Sequence, residues 1–268
     1  MYRLRNREEF TMADNYEYFK TQILALTKID LNAYKEAQMK RRIDTLITRN
    51  QCKSYAEFVN LIKTDKEKFE EFVAYLTINV SEFWRNPEQW KILEDKVIPD
   101  LIKLPSIKIW SAACSTGDEP YSLAMLLLKH VPISRIKIIA TDIDKQVLEK
   151  AKSGMYNDKS IKGLPDELKK KYFEKISDTA FQVSPELKKC IEFKEHNLLR
   201  DPYPTGLDLI VCRNVLIYFT EEAKSDIYKK YNASLKPGAI LFLGSTEQII
   251  QPQQYGFETI SSFFYKKV

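Results

Sequence analysis

The stretch Ile107-Lys-Ile-Trp-Ser-Ala-Ala-Cys-Ser-Thr-Gly-Asp-Glu-Pro-Tyr-Ser122, followed by Ile138-Ile-Ala-Thr-Asp-Ile-Asp144, constrains the fold more than any other part of the chain. Ile107 and Ile109 open a β-branched run, and the small residues Ala112, Ala113, Ser115 and Gly117 form a turn whose backbone a ligand can approach closely. Asp118, Glu119 and Pro120 then stand where helices begin. The pattern predicts a helix from Tyr121 to His130, ended by Pro132, and a second buried strand from Ile136 to Thr141 that stops on Asp142. Strand, tight turn, helix, strand and acid make the first half of a nucleoside-binding βαβ unit.

Asp142 lies 25 residues after Gly117. That is close to the roughly 20 that separate a glycine turn from a carboxylate accepting ribose hydroxyls. A pyrophosphate is disfavoured, because the turn has one glycine instead of Gly-x-Gly-x-x-Gly and Glu119 occupies the helix start where phosphate charge would sit. A carboxylate there suits a cation. S-adenosylmethionine combines a ribose, an adenine, a sulfonium and an amino acid tail whose ammonium can pair with Glu119. On this motif alone, a strand-turn-helix without a ligand stays open as the plainer reading.

A chain of 268 residues can hold one medium domain and a small one. Cys52, Cys114, Cys190 and Cys212 form no Cys-x-x-Cys pair, and His130 and His196 are the two histidines. A reduced, cytoplasmic protein without a metal site is expected. The apolar run at Leu123 to Leu128 is far shorter than the ~18 residues of a membrane span, and no signal-peptide core precedes it. Met1 to Thr11 are charged and aperiodic, and stand outside the fold argument.

Residues 15–94 read helical almost throughout: glycine is absent, and apolar residues recur at helical spacing in Tyr55, Phe58, Val59, Ile62 and in Phe69, Phe72, Val73, Leu76. From Ile107 onward strands alternate with helices, with strands at Lys108 to Ala113, Lys137 to Thr141, Leu207 to Cys212 and Ala239 to Ser245, and helices at 144–152 and 221–235. This half is a doubly wound α/β sheet. The loop before Thr259 to Lys266 is too short for a crossover helix, so the last strand should run antiparallel, an ending that nucleotide-dependent methyltransferases share. Ala180 to Val183 and Cys190 to Phe193 interrupt the alternation and read as a small inserted antiparallel piece. The domains expected are 12–95, helical, and 96–268, α/β, with 172–194 as the insert.

Two further clusters carry polar chemistry. Asn79-Val-Ser-Glu-Phe-Trp-Arg-Asn-Pro87 reads either as a ligand lid, with Arg85 suited to a carboxylate, or as a helix terminus stopped by Pro87. Cys212-Arg-Asn-Val-Leu-Ile-Tyr-Phe219 follows a strand at the edge where open α/β sheets bind ligands. Asn214 and Tyr218 are its candidates, a polar turn residue and a half-buried core tyrosine being the plainer alternatives.

Together Asn79-x-Ser81-x-Phe83-x-Arg85-x-Pro87, Ser111 to Ser122, Ala-Thr-Asp142-Ile-Asp144, His196-Asn197-Leu198 and Cys212 to Phe219 resemble the CheR family of chemoreceptor glutamate O-methyltransferases, in order, from about residue 15 to the C-terminus. The resemblance implies a Rossmann-like class I S-adenosylmethionine-dependent methyltransferase domain with an N-terminal all-α domain and a small inserted antiparallel β-subdomain. It implies methyl transfer from S-adenosylmethionine to glutamate side chains on the cytoplasmic helices of chemotaxis receptors, giving methyl esters and S-adenosylhomocysteine. Cofactor contacts carried over by matching motif are Asn79, Ser81, Arg85, Ala113, Glu119, Asp142, Asn197, Leu198, Asn214 and Val215. Arg85 and Tyr218 would flank the methyl acceptor.

The chemistry needs no general base, since a glutamate with a pKa of about 4.3 is already ionised at neutral pH. In-line placement and exclusion of water are what the protein must supply. On the helix expected from Lys35 to Arg49, the cations Lys35, Lys40, Arg41, Arg42 and Arg49 outnumber Glu36 and Asp44, which fits an acidic receptor surface or simply a solvated charged face. A net charge of +5 with 37 acidic residues argues against nucleic acid. A monomer without membrane insertion is expected. The family's enteric members carry a glycine-rich loop in the insert that captures a receptor tail peptide; Phe173 to Val183 is shorter and has no glycine, so direct binding without tethering is expected. A methyltransferase with another acceptor, or a non-catalytic S-adenosylmethionine-binding regulator, would share most of these motifs; a dinucleotide oxidoreductase would not share the single-glycine turn.

Overall fold

The amphipathic stripes of the first third become helices because each has an end signal as well as an apolar face. In the computed structural model, which describes residues 16–268, helices run through residues 16–27 (α1), Glu36–Arg49 (α2), Tyr55–Thr64 (α3) and Lys66–Thr77 (α4). Ser54 caps α3 by accepting the Glu57 N–H, and Asp65 caps α4 by accepting from Glu67 and Lys68. Tyr55, Phe58, Val59 and Ile62 are buried, as are Phe72 and Leu76, whereas Phe69 and Val73 are half-buried. Phe19, Tyr55, Phe58 and Phe72 form the aromatic centre, with ring centroids 5.0–6.4 Å apart. Residues 1–15, including the aperiodic N-terminus, lie outside the described residues.

The chain divides into two compact units after Ile78. The first also takes Tyr218–Ala223, which pairs with the segment before α2: Lys35 N–H donates to the Tyr218 carbonyl and Thr220 N–H to the Ala33 carbonyl, both at 2.9 Å. Residues 79–95, assigned to the helical domain from sequence, fall in the second unit. Their side chains Phe83, Trp84, Trp90 and Leu93 are buried in its core.

That second unit has a seven-stranded sheet. After α5 (Pro87–Ile92), a π-helical turn (Leu93–Val97) and α6 (Ile98–Leu101), the chain forms β1 (Ile107–Ala112), α7 (Asp118–Leu127), β2 (Ile136–Asp142) and α8 (Lys145–Ser153). Next come β3 (Met155–Asn157), α9 (Asp158–Ile161), α10 (Asp166–Tyr172), β4 (Phe173–Lys175), β5 (Ala180–Val183), α11 (Pro185–Lys188) and β6 (Ile191–Glu195). The unit ends with β7 (Leu207–Cys212), α12 (Glu221–Ser234), which begins in the first unit, β8 (Leu235–Leu243), β9 (Phe257–Ser261) and β10 (Phe264–Lys267). The order is β6-β2-β1-β7-β8-β10-β9. Pairing is parallel from β6 to β8, and antiparallel between β8 and β10 and between β10 and β9.

The antiparallel ending expected from the short loop is present, as a β9–β10 hairpin in place of one strand. The insert is redrawn. Ile191–Glu195 does not belong to it but forms the parallel edge strand beside β2, while Met155–Asn157 joins β4 and β5 in a three-stranded antiparallel sheet of order β3-β5-β4. Sequence spacing could not see this, because Ile191 and Phe193 offer one apolar face that either sheet would accept.

Chain order reverses beside β1, which has β2 on one side and β7 on the other. Open α/β sheets bind ligands at the carboxyl ends of the strands at such a switch point. Among the described residues no helix is long and apolar enough to cross a membrane, and no cluster of His, Cys, Asp and Glu could hold a metal ion.

Candidate active site

Ala113, Asp142, Asn197 and Asn214 each follow the carboxyl end of a parallel strand (β1, β2, β6 and β7) or close it. The backbone there is tightly wound: φ is +80° at Ala113, +48° at Ser115, +92° at Gly117 and +62° at Asn214. Three non-glycine residues in the left-handed region within two loops mark a place where surrounding contacts hold the chain against its preference. Thr141 O receives the N–H groups of both Ala113 and Cys114 at 2.8 Å, tying the β1 turn to β2.

Gly117 also has a packing role that its sequence does not show. A Cβ there would meet Ala151 Cβ at 2.9 Å and the Tyr156 hydroxyl at 3.0 Å, so the glycine admits close packing of α7 on the protein itself. The Ser115 hydroxyl is buried with no partner among the described residues.

Asp142 organises three segments. Its carboxylate accepts Ser115 N–H at 2.8 Å and Asp144 N–H at 3.1 Å, and its carbonyl accepts His196 N–H at 2.9 Å. Burial raises its pKa from 3.8 to about 6, against the opposing pull of the backbone donors. Asp144 caps α8 through Gln146 N–H and accepts from Asn79 Nδ2 at 2.7 Å, which anchors the start of the 79–87 segment. Ser81 and Thr116 hydroxyls hydrogen-bond Asp118, whose pKa burial raises.

Glu119 is largely buried. Its Oε1 accepts from the Ser111 hydroxyl at 2.8 Å, and its Oε2 lies 3.7 Å from Arg213 Nη1. Desolvation raises its pKa, and the Arg213 charge opposes the rise. Asn197 Oδ1 accepts Leu199 N–H at 2.9 Å in a tight turn, and the Leu198 carbonyl accepts the Tyr203 hydroxyl at 2.7 Å. The Arg85 guanidinium donates to the Val80 carbonyl at 3.2 Å, and the Arg85 carbonyl accepts from Trp90 Nε1 and from Arg213. Tyr218, by contrast, belongs to the other compact unit.

Two residues that sequence reasoning passed over hold this edge together. Arg213 is buried, and its Nη2 donates to Arg85 O at 2.8 Å, Asn86 Oδ1 at 3.1 Å and Gln89 Oε1 at 2.8 Å. Glu247 is buried too, and accepts four backbone N–H groups, from Asn214, Gly244, Leu216 and Ile217. Arg213 gave no warning, because arginine is ordinarily a surface residue. Glu247 lies four residues past β8 and lacks the spacing from a glycine turn that marked Asp142.

These groups fit S-adenosylmethionine better than a dinucleotide. Buried carboxylates at the strand ends and at the start of α7 would repel a pyrophosphate and attract a sulfonium and an ammonium, while Ser115 offers an unclaimed hydroxyl. Residues 79–264 match the family described as CheR methyltransferase, SAM binding domain, and residues 14–77 match the CheR methyltransferase all-alpha domain. The chain belongs to the CheR methyltransferase family. It is similar to the chemotaxis protein methyltransferase of Listeria innocua, at 42% identity over 94% of this chain and 97% of the relative. The chemotaxis protein methyltransferase of Borreliella burgdorferi is 34% identical over 82% of this chain and 83% of its own. Among solved structures, a TehB-like SAM-dependent methyltransferase from Corynebacterium glutamicum aligns at 14% identity and a TM-score of 0.39, over 67% of this chain and 92% of that one. As a CheR-family chain, this protein is an S-adenosylmethionine-dependent methyltransferase, with the fold of a class I domain preceded by an all-α domain.

Replacing Arg213 with Met leaves Glu119 without its cation and strands the acceptors on Arg85 and Gln89. Urea unfolding should show a loss of about 3–5 kcal/mol, the cost of breaking a buried pair from one side.

The raised pKa of Asp142 means that the folded protein holds this proton more tightly than the unfolded chain. Its stabilising contribution is therefore complete below about pH 4 and is lost as pH rises through about 6. With Asp142 as ribose acceptor, the role proposed below, its ionised form accepts hydroxyls more strongly than its protonated form, so S-adenosylhomocysteine affinity measured by calorimetry should be flat from about pH 8 to 7 and fall as pH drops through about 6. In Asp142→Ala that fall should be blunted and affinity low throughout.

Proposed function

We propose that the chain transfers a methyl group from S-adenosylmethionine to glutamate side-chain carboxylates of chemotaxis receptors, forming glutamate methyl esters and S-adenosylhomocysteine in the cytoplasm. The observation that carries the reading is the pair of acids, buried Asp142 and largely buried Glu119, at the switch point of a CheR-family sheet. The names of the Listeria and Borreliella relatives support the chemotaxis assignment. When bound, the cofactor supplies an electrophilic methyl on a sulfonium.

Asp142 is assigned to the ribose and Glu119 to the ammonium of the amino acid tail. Ser111 and Arg213 keep the Glu119 carboxylate in one orientation, with lone pairs to spare. Asn79, Ser81, Arg85, Ala113, Asn197, Leu198, Asn214 and Val215 complete the binding set. Arg85 and Tyr218 are assigned to orient the acceptor carboxylate, which arrives already ionised and needs no base. Excluding water lets the opposite charges of acceptor and sulfonium approach without their hydration shells.

The receptor is assigned to α2. Lys35, Arg41 and Arg49 are exposed, and a shallow depression whose lining includes Lys40, Arg41 and Arg49, with one carboxylate, Asp44, runs along the helix. Three of the expected cations have partners inside the unit: Arg42 donates to the Tyr75 carbonyl and lies over its ring, Lys40 pairs with Asp44 at 3.0 Å, and Arg49 lies 3.9 Å from Glu71. Arg42, half-buried and held against Tyr75, is the least available of the five for docking. Direct docking without a tail tether is favoured by the tight β4–β5 hairpin, whose connection 176–179 has no glycine.

Calorimetric titration with S-adenosylhomocysteine, with NAD as control, followed by transfer of labelled methyl to receptor cytoplasmic domains, tests the reading. Binding without transfer would leave a regulator. Tyr218→Phe should lower kcat by roughly 10- to 100-fold, the worth of one hydrogen bond to a charged group, and leave S-adenosylhomocysteine affinity within about twofold. Unchanged turnover would remove Tyr218 from the site.

Raising ionic strength from about 0.05 to 0.5 M shrinks the Debye length from roughly 13 to 4 Å. The KM for receptor should rise severalfold over this range while cofactor affinity stays level, and Arg41→Ala with Arg49→Ala should flatten the salt dependence.

A further inference from the structure

The loop after β7 carries two of the assigned cofactor residues, Asn214 and Val215, yet its conformation is an unfavourable one. Asn214 sits at φ +62°. Its own N–H and those of Leu216 and Ile217 all turn inward to one place, where no strand or helix partner receives them. What receives them is the carboxylate of Glu247, four residues past the end of β8: Oε2 accepts Asn214 N–H at 2.6 Å and Gly244 N–H at 2.9 Å, and Oε1 accepts Leu216 N–H at 2.6 Å and Ile217 N–H at 3.3 Å. A carboxylate has acceptor capacity for four donors and no donor of its own, so its chemistry matches this set and that of an amide does not.

The turn that delivers Glu247 is shaped for the purpose. Glu247 N–H donates back to the Gly244 carbonyl at 3.0 Å. At Gly244 a Cβ would fall 2.5 Å from Glu247 Oε2 and 2.8 Å from Asn214 N, so glycine alone leaves room for the carboxylate to reach the loop. We propose that Glu247 is a positioning residue: its carboxylate pre-forms the 214–217 loop so that Asn214 and Val215 meet the cofactor without a further ordering cost. This rests on the assignment of Asn214 and Val215 to the cofactor. The signature is a split between binding and chemistry, because a group that orders the cofactor loop in the free enzyme acts mainly on cofactor affinity.

The test is Glu247→Gln, which keeps size and replaces one acceptor oxygen by an NH2 that faces backbone donors. Its S-adenosylhomocysteine Kd and its KM for S-adenosylmethionine should each rise by about tenfold or more, with kcat at saturating cofactor within about threefold and with Glu247→Asp recovering part of the affinity. A folded Glu247→Gln protein with wild-type affinity, or with a loss confined to kcat, overturns the proposal. Hydrogen exchange of the wild-type protein gives an answer even where the variant does not fold. The Asn214 and Leu216 amides should be protected without ligand and change by less than about threefold on adding S-adenosylhomocysteine; amides that become protected only with ligand overturn the proposal. Failure of the wild-type protein to bind S-adenosylhomocysteine would strike the cofactor assignment instead, and leaves the ligand-free exchange result to decide whether Glu247 holds the loop.

Discussion

A single buried guanidinium, that of Arg213, connects most of what makes the carboxyl edge of the sheet a site. It stands directly after β7, beside the Glu119 carboxylate on α7, and donates to the backbone and side chains of residues 85–89. Its face also lies over the Phe242 ring at 5.0 Å, so the charge is packed as well as paired. A cation taken out of water is tolerable only when acceptors are aimed at it, and here they come from two separate stretches of chain, residues 85–89 and Glu119. The 79–89 segment, with Trp84 stacked on Trp90 at 4.9 Å, owes its course to that requirement.

Buried acids form the complement. Asp142 and Glu247 collect backbone N–H groups from loops that have no ladder to join, and Glu119 is balanced by Arg213. Each is expensive to ionise in place, which is why burial raises the pKa of all three. A site of this kind holds fixed acceptors before any ligand arrives. It favours a cationic ligand with ribose hydroxyls, and the same acids exclude the diphosphate that a glycine-rich turn at a helix start would otherwise welcome.

The parallel strands and their helices were legible because their signals are local: β-branched runs, the acids and proline at the start of α7, and Pro132 after it. Asp142 was legible from its spacing. The edge strand β6 was not, since Ile191–Glu195 carries an alternating pattern that fits either the insert or the main sheet, and its place was decided by pairing with β2. At Gly117 the sequence shows a missing side chain but not the Ala151 and Tyr156 atoms that occupy the space. Arg213 and Glu247 escaped notice because neither has local periodicity, and both work through residues 30 to 130 positions away.

By itself the sequence determined the two-part organisation, the α/β alternation, the antiparallel ending and the chemical character of the turn and acids at the strand ends. These follow from propensities, caps and polar spacing that act within a few residues, or from motifs matched in order along the chain. Tertiary structure alone decided which strand borders β2, which glycine serves packing, and which charges are buried against one another. Burial and pairing are properties of surfaces brought together from distant stretches of chain, and the desolvation that raises the pKa values of Asp142, Glu119 and Glu247 exists only once those surfaces close.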